Sequence, residues 1–165
     1  MSSDPLLSTF AIRAAEPDDL DDIVDFQIRM ALETEDKQLE RPLVEKGVNA
    51  VLENPLLGHY VICESLDEHL NEVVGCLLIT YEWSEWRNGL IYWIQSVYVI
   101  PEFRKQRAFT KMYQHVQNAA MADSRVCGLR LYVANDNQPA QNTYAKLGMK
   151  DGNYKVFEWM KNSDS

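Results

Sequence analysis

A chain of 165 residues with 46% hydrophobic residues is long and apolar enough for one packed domain, which excludes a disordered tether. Its 16 Lys and Arg stand against 25 Asp and Glu, for a net charge of −9. That balance argues against nucleic acid, whose phosphates demand cations, and suits a cationic ligand better.

In chain order, residues 10–14 read as a short strand. Pro17, Asp18 and Asp19 mark a helix start, and Leu20, Ile23, Val24, Ile28 and Ala31 recur at helical spacing. After a polar stretch, a second helix is expected over 42–52 on Leu43, Val44, Val48 and Val51, closed by Asn54-Pro55. Strands follow at 59–63, 73–82 and 90–100. The latter two are apolar at nearly every position, which implies cover on both faces, and Asn88-Gly89 in their connection is a turn signal. Cys63 and Cys76 sit in these runs as packed thiols. With Cys127 and three histidines they show no disulfide or ligand spacing, so no metal is expected. Pro101 stops the third strand because it cannot donate to a ladder. Phe109, Met112, Tyr113, Val116 and Ala120 then give a helix one buried face.

A strand at 129–134, a helix at 137–147 and a last strand at 154–160 complete the order β-α-α-β-β-β-α-β-α-β. This is an α/β (α+β) pattern with a mixed central sheet flanked by helices, in a single domain over 10–160. Residues 1–9 and 161–165 are expected to be flexible ends. Residues 1–9 lack a signal-peptide pattern and no run reaches membrane-spanning length, so a cytoplasmic protein with no membrane partner is the simplest expectation.

The most informative stretch is 97–113. A strand ends, a basic turn follows, and a helix opens with Arg104, Lys105, Arg107 and Lys111 crowding its first turn. Helix starts carry unpaired N–H groups and partial positive charge, so this is a phosphate cradle in an otherwise acidic chain. No Gly-Lys-Ser/Thr follows the turn, which excludes a P-loop.

The segment resembles motif A of the GNAT-type N-acetyltransferases, a strand-Pro-x-x-Arg-x-x-Gly-x-Gly/Ala-helix unit that holds the pyrophosphate of acetyl-CoA. Downstream, Asn137, Ala140, Tyr144, Gly148 and Met149 resemble the family's Asn-x-x-Ala-x-x-x-Tyr-x-x-x-Gly-Phe pattern. The two occur in the family's order, and the resemblance runs from about residue 10 to 160. It implies a mostly antiparallel sheet and acetyl-CoA as co-substrate. Gln106, Ala108, Phe109 and Thr110, with the cations Arg104, Lys105 and Arg107, would bind the pyrophosphate, with Asn137 also on the cofactor. Val97, Tyr98 and Val99 match the strand that pairs with the pantetheine arm.

One departure stands out: Arg107 and Phe109 replace the motif glycines. If position 107 is right-handed, its guanidinium can reach a phosphate; if it needs positive φ, arginine there is strained.

The resemblance makes Tyr144 the general acid, since a phenol with pKa near 10 can protonate a thiolate whose reference value is about 8.5. Gln95 stands where many members carry a basic Glu, and an amide cannot take that proton. Glu82 is the substitute base, if burial raises its pKa, with Glu33 and Glu35 as runners-up. Glu33, Trp83 and Trp86 are candidate acceptor contacts for a small-molecule or peptide amine, through charge and ring faces. The tryptophans suit core cover or a homodimer contact equally well. A GNAT-like module that binds an acyl-CoA without turnover is the alternative, favoured by Arg107 and Gln95.

Overall fold

A computed structural model describes residues 10–67 and 72–161. Of the ends expected to be flexible, 1–9 and 161–165, residues 1–9 and 162–165 lie outside the described residues. The chain divides into two compact units, Met1–Tyr132 and Val133–Ser165.

The first unit is built on a five-stranded sheet in sequential order. Its strands are β1 (Phe10–Ala14), β2 (His59–Ser65), β3 (Val73–Ser84), β4 (Gly89–Val99) and β5 (Val126–Leu131). The first four pair antiparallel and β4 pairs β5 in parallel, so the expected mixed sheet is present. Between the strands come α1 (Leu20–Glu35), α2 (Arg41–Glu53) and α3 (Ala108–Ala122). Pro17–Asp19 forms a 3-10 turn before α1, and α1 runs further than the sequence suggests, which puts Glu33 on its last turn.

Strand alternation sends successive side chains to opposite faces. Tyr60, Ile62, Cys76 and Tyr98 cluster with Ile23, Val24, Phe26 and Val48 of α1 and α2. The alternate positions Val61, Cys63, Leu77 and Ile79 are also buried. Helix α3 touches all five strands and covers that second face with Met112, Tyr113 and Val116. Each such side chain contributes about 1.5–3 kcal/mol by leaving water. Burial pushes the thiols of Cys63 and Cys76 up to about 12, as inert packed groups.

Arg13 ties the sheet edge to the entry of α1. Its guanidinium donates to both oxygens of Asp19, at 2.7 and 2.8 Å, and to Glu64 across the β1–β2 pair at 2.7 Å. Asp19 also accepts the N–H of Glu16 at 2.7 Å.

The second unit contains α4 (Gln138–Lys146). The Asn137 side chain caps it by accepting from Ala140 N–H at 3.2 Å. At its end Gly148 adopts φ +88°, Gly148 N–H bonds Ala145 O at 3.0 Å and Met149 N–H bonds Tyr144 O at 3.0 Å, a Schellman closure that glycine permits. The expected last strand at 154–160 is absent: residues 149–161 have no strand, and Tyr154, Phe157 and Trp159 are exposed. An apolar, aromatic run has strand propensity, but a strand exists only within a ladder, and no described strand pairs with this segment. The expected strand at 129–134 lies earlier, at Val126–Leu131, because the ladder with β4 sets its bounds.

Candidate functional site

Strand β4 outruns its parallel neighbour. Its pairing with β5 stops at Ile94–Leu131, while β4 continues to Val99. Residues 95–99 thus have no described strand on that side. Between Gln95 and Tyr98 the register with β3 shifts, and Ser96 takes φ +51°, a bulge with a left-handed residue. Beyond it, Ile100 N–H bonds Val74 O at 2.9 Å, so the backbone polar groups of Val99 point to the open edge. Gly75, opposite Val99, makes room for this path: a Cβ there would meet Tyr98 O at 2.6 Å.

After Val99, Pro101–Phe103 forms a 3-10 turn and the chain enters α3 through two left-handed residues, Lys105 (φ +62°) and Arg107 (φ +71°, ψ +14°). Arg107 is the N-cap of α3 and supplies no side-chain cap. Position 107 therefore has the conformation that the motif glycine serves, and its Cβ is strained there. Left-handed residues at a helix start gather N–H groups into an anion-binding concavity, to which the unpaired first-turn N–H groups of α3 add. Lys105, Arg107 and Lys111 are exposed beside it and make no ion pair among the described residues.

Arg104 is placed differently from its neighbours. Its Nε donates to Val99 O at 2.8 Å, its Nη2 donates to Glu33 at 2.6 Å, and the guanidinium lies 5.4 Å from the Tyr98 ring centre. Tyr98 itself is buried against Phe26 and donates its hydroxyl to Glu33 at 2.7 Å. Tyr98 and then Arg104 hold the Glu33 carboxyl below its usual range. Glu33 is thus engaged as an anchor for Arg104 rather than standing as a lone acid. Ala108 is buried, and Phe109 packs on Tyr113 with ring centres 6.2 Å apart.

Glu82 does not have the raised pKa that a neutral-pH base needs. It accepts from Trp93 Nε1 and, at 2.7 Å, from Arg130 Nη1; these two donors outweigh its desolvation and keep its pKa low. Gln95 donates its amide to Thr80 Oγ1. Trp83 and Trp86 are exposed around the β3–β4 turn, where Asn88 takes φ +49° and Gly89 begins the strand. Trp93, Arg130 and Tyr132 escaped the sequence reading. Only the parallel β4–β5 register brings them together, with the Trp93 and Tyr132 ring centres 4.6 Å apart and the planes tilted by 38°. In the second unit, Tyr144 is half-buried on α4 and burial raises its pKa, and the Asn137 oxygen is engaged as the helix cap.

The model of the Acetyltransferase (GNAT) family matches residues 20–149. The chain belongs to this family of acetyltransferases. It is 29% identical over 152 residues to the mouse (Mus musculus) thialysine N-epsilon-acetyltransferase, covering 88% of this chain and 86% of the relative. The bovine (Bos taurus) protein of the same name is 35% identical over 79 residues, covering 48% of this chain and 45% of that relative, so this match spans about half of each. The crystal structure of a possible acetyltransferase from Clostridium difficile 630 is 38% identical, with TM-score 0.83, covering 92% of this chain and 97% of that one. Among the described residues no helix is long and apolar enough to cross a membrane.

Proposed function

We propose that this chain moves the acetyl group of acetyl-CoA to a primary amine of a small molecule or peptide by direct attack, with Tyr144 as general acid. The observation that carries the reading is the open edge of β4 over residues 95–99, which leads through one turn into the cationic, left-handed entry of α3. The edge suits the amide groups of the pantetheine arm, and the entry of α3 suits pyrophosphate oxygens. Val97 and Val99 bind through backbone, with the Tyr98 backbone between them turned to β3, and Lys105, Gln106, Arg107, Ala108, Phe109 and Thr110 cradle the phosphates. Arg104 fixes the carbonyl of Val99 and the end of α1, so it acts as a positioning residue. The relatives named for the N-epsilon amine of thialysine support an amine acceptor.

In the transfer a C–N bond forms to the acetyl carbon and the C–S bond breaks. The amine gives up one proton, and the departing thiolate gains one from the Tyr144 phenol. The low pKa of Glu82 argues that it orients the acceptor while water takes the amine proton. Thiol release from acetyl-CoA, measured across amines, tests the reading. Tyr144→Phe keeps the ring and should lower kcat by roughly 10- to 10⁴-fold with little change in acetyl-CoA affinity. Unchanged turnover under chemistry-limited conditions removes the phenol from the mechanism. Acetyl-CoA binding with no thiol release on any amine favours a non-catalytic acyl-CoA module. Trp83→Ala or Trp86→Ala separates an acceptor wall from a homodimer contact, by acceptor KM in one case and by mass in solution in the other.

A further inference from the structure

Glu33 lies on the last turn of α1, outside both motifs, and is bound from two sides. Tyr98 donates its hydroxyl to Oε1 at 2.7 Å, and Arg104 Nη2 donates to Oε2 at 2.6 Å. Tyr98 is buried with its ring on Phe26 of α1, centres 5.4 Å apart, so it has little freedom to follow a moving partner. Arg104 reaches the strand as well: Nε donates to Val99 O at 2.8 Å. A backbone carbonyl has two lone pairs, so this contact leaves one position on Val99 O for the pantetheine arm. The Arg104 and Glu33 side chains are 43% and 38% exposed, and a pair of that kind contributes little to stability on its own. Its effect is geometric, because it decides which way Arg104 turns. Turned back, the guanidinium braces the end of β4; released, it is a fourth cation beside the exposed Lys105, Arg107 and Lys111.

Resting on the acetyltransferase reading, we propose that Glu33 is a positioning residue for acetyl transfer, acting through Arg104 rather than on the acceptor amine. By holding the guanidinium on Val99 O it keeps the edge that carries the pantetheine arm, and hence the thioester, in place. By the same contact it withholds one positive charge from the pyrophosphate. Loss of the Glu33 charge therefore moves the two halves of cofactor function in opposite directions: attraction for the phosphates rises, and placement of the thioester suffers. Other roles leave a different trace. A contact to the acceptor affects the acceptor KM, and a packing role weakens affinity and turnover together.

The experiment is a double-mutant cycle in the full-length protein over wild type, Glu33→Gln, Arg104→Gln and the double variant. Calorimetry gives acetyl-CoA affinity at several salt concentrations. Thiol release gives kcat and acceptor KM, with whichever of lysine, cadaverine and a glycine-terminated peptide the wild type uses fastest. Glu33→Gln should bind acetyl-CoA roughly two- to fivefold more tightly at low salt, lose that gain as salt rises, and lower kcat on the order of 3- to 30-fold. Arg104→Gln should lower kcat by a similar factor and bind no more tightly. The double variant should be no slower than Arg104→Gln, since a residue that acts through another has no further effect once that one is gone. Glu33→Asp keeps the charge on a shorter side chain. It should hold wild-type affinity and recover part of kcat, and it serves where Glu33→Gln does not fold. Additive losses of kcat, weaker acetyl-CoA binding by Glu33→Gln, or an unchanged kcat in that variant overturns the proposal while leaving the acetyltransferase reading intact. A wild type that fails to bind acetyl-CoA, or releases thiol with no amine, overturns both.

Discussion

Arg107→Gly should make this protein more stable, although it deletes a charged side chain and inserts the most flexible residue. Arg107 sits at φ +71° and ψ +14° as the N-cap of α3, with its side chain exposed and without a cap bond. A left-handed conformation costs a residue with a Cβ about 1–2 kcal/mol. Glycine removes that strain but adds about 0.4–1 kcal/mol of unfolded-chain freedom. The difference favours glycine by roughly 0.5–1 kcal/mol, and for a chain of this size a melting temperature rises by about 2–4 °C per kcal/mol. Arg107→Ala removes the guanidinium and keeps the Cβ, so it should melt at or below the wild type. Thermal unfolding of the three proteins checks the backbone half of the reasoning. Calorimetry with acetyl-CoA checks the functional half: tighter binding by Arg107→Gly marks the Cβ as an obstruction, and equal weakening in both variants marks the guanidinium as a phosphate ligand. An Arg107→Gly protein that melts below Arg107→Ala refutes the strain argument outright.

Two further expectations follow from the packing. Burial alone would raise the pKa of Asp19, but Arg13 and the Glu16 N–H outweigh it and hold the pKa below the ordinary value. A carboxyl depressed in the folded state stabilises fully above its unfolded pKa near 3.9 and loses that contribution as pH falls through the folded pKa. Asp19→Asn should therefore cost about 1–3 kcal/mol at pH 7 and converge on the wild type in acid, measured by urea unfolding at several pH values. A constant difference between pH 7 and pH 2 would mean that shape rather than charge is responsible. Gly75→Ala drives a Cβ onto the Tyr98 carbonyl, and should cost about 1–3 kcal/mol and weaken acetyl-CoA binding by displacing the far end of β4. Wild-type affinity in a stably folded Gly75→Ala protein would separate the bulge from the cofactor edge.

Periodicity is a local property, which is why the helices and the first four strands are legible in the chain. Leu20, Ile23 and Val24 declare the buried face of α1 without reference to anything distant, and Pro101 declares the end of β4. Where partners decide, the sequence is silent. The aromatic run at 154–160 looks like a strand because its residues favour one, yet no described strand pairs with it. Ser96 gives no composition signal for a bulge, since the left-handed turn there arises from the register between β3 and β4.

Arg104 carries the same lesson into the site. By its spacing it belongs with Lys105, Arg107 and Lys111 as one of four equivalent cations at a helix start. In the fold it turns back onto Val99 O, Glu33 and the Tyr98 ring, and ties the last turn of α1 to the end of β4. A charge held by a carboxylate at 2.6 Å is largely neutralised toward an incoming phosphate. The pull on the cofactor therefore rests on the three exposed cations and the backbone N–H groups, while Arg104 sets where the edge they serve begins. The distinction depends on Glu33, 71 residues away in sequence, and no reading of the turn alone contains it.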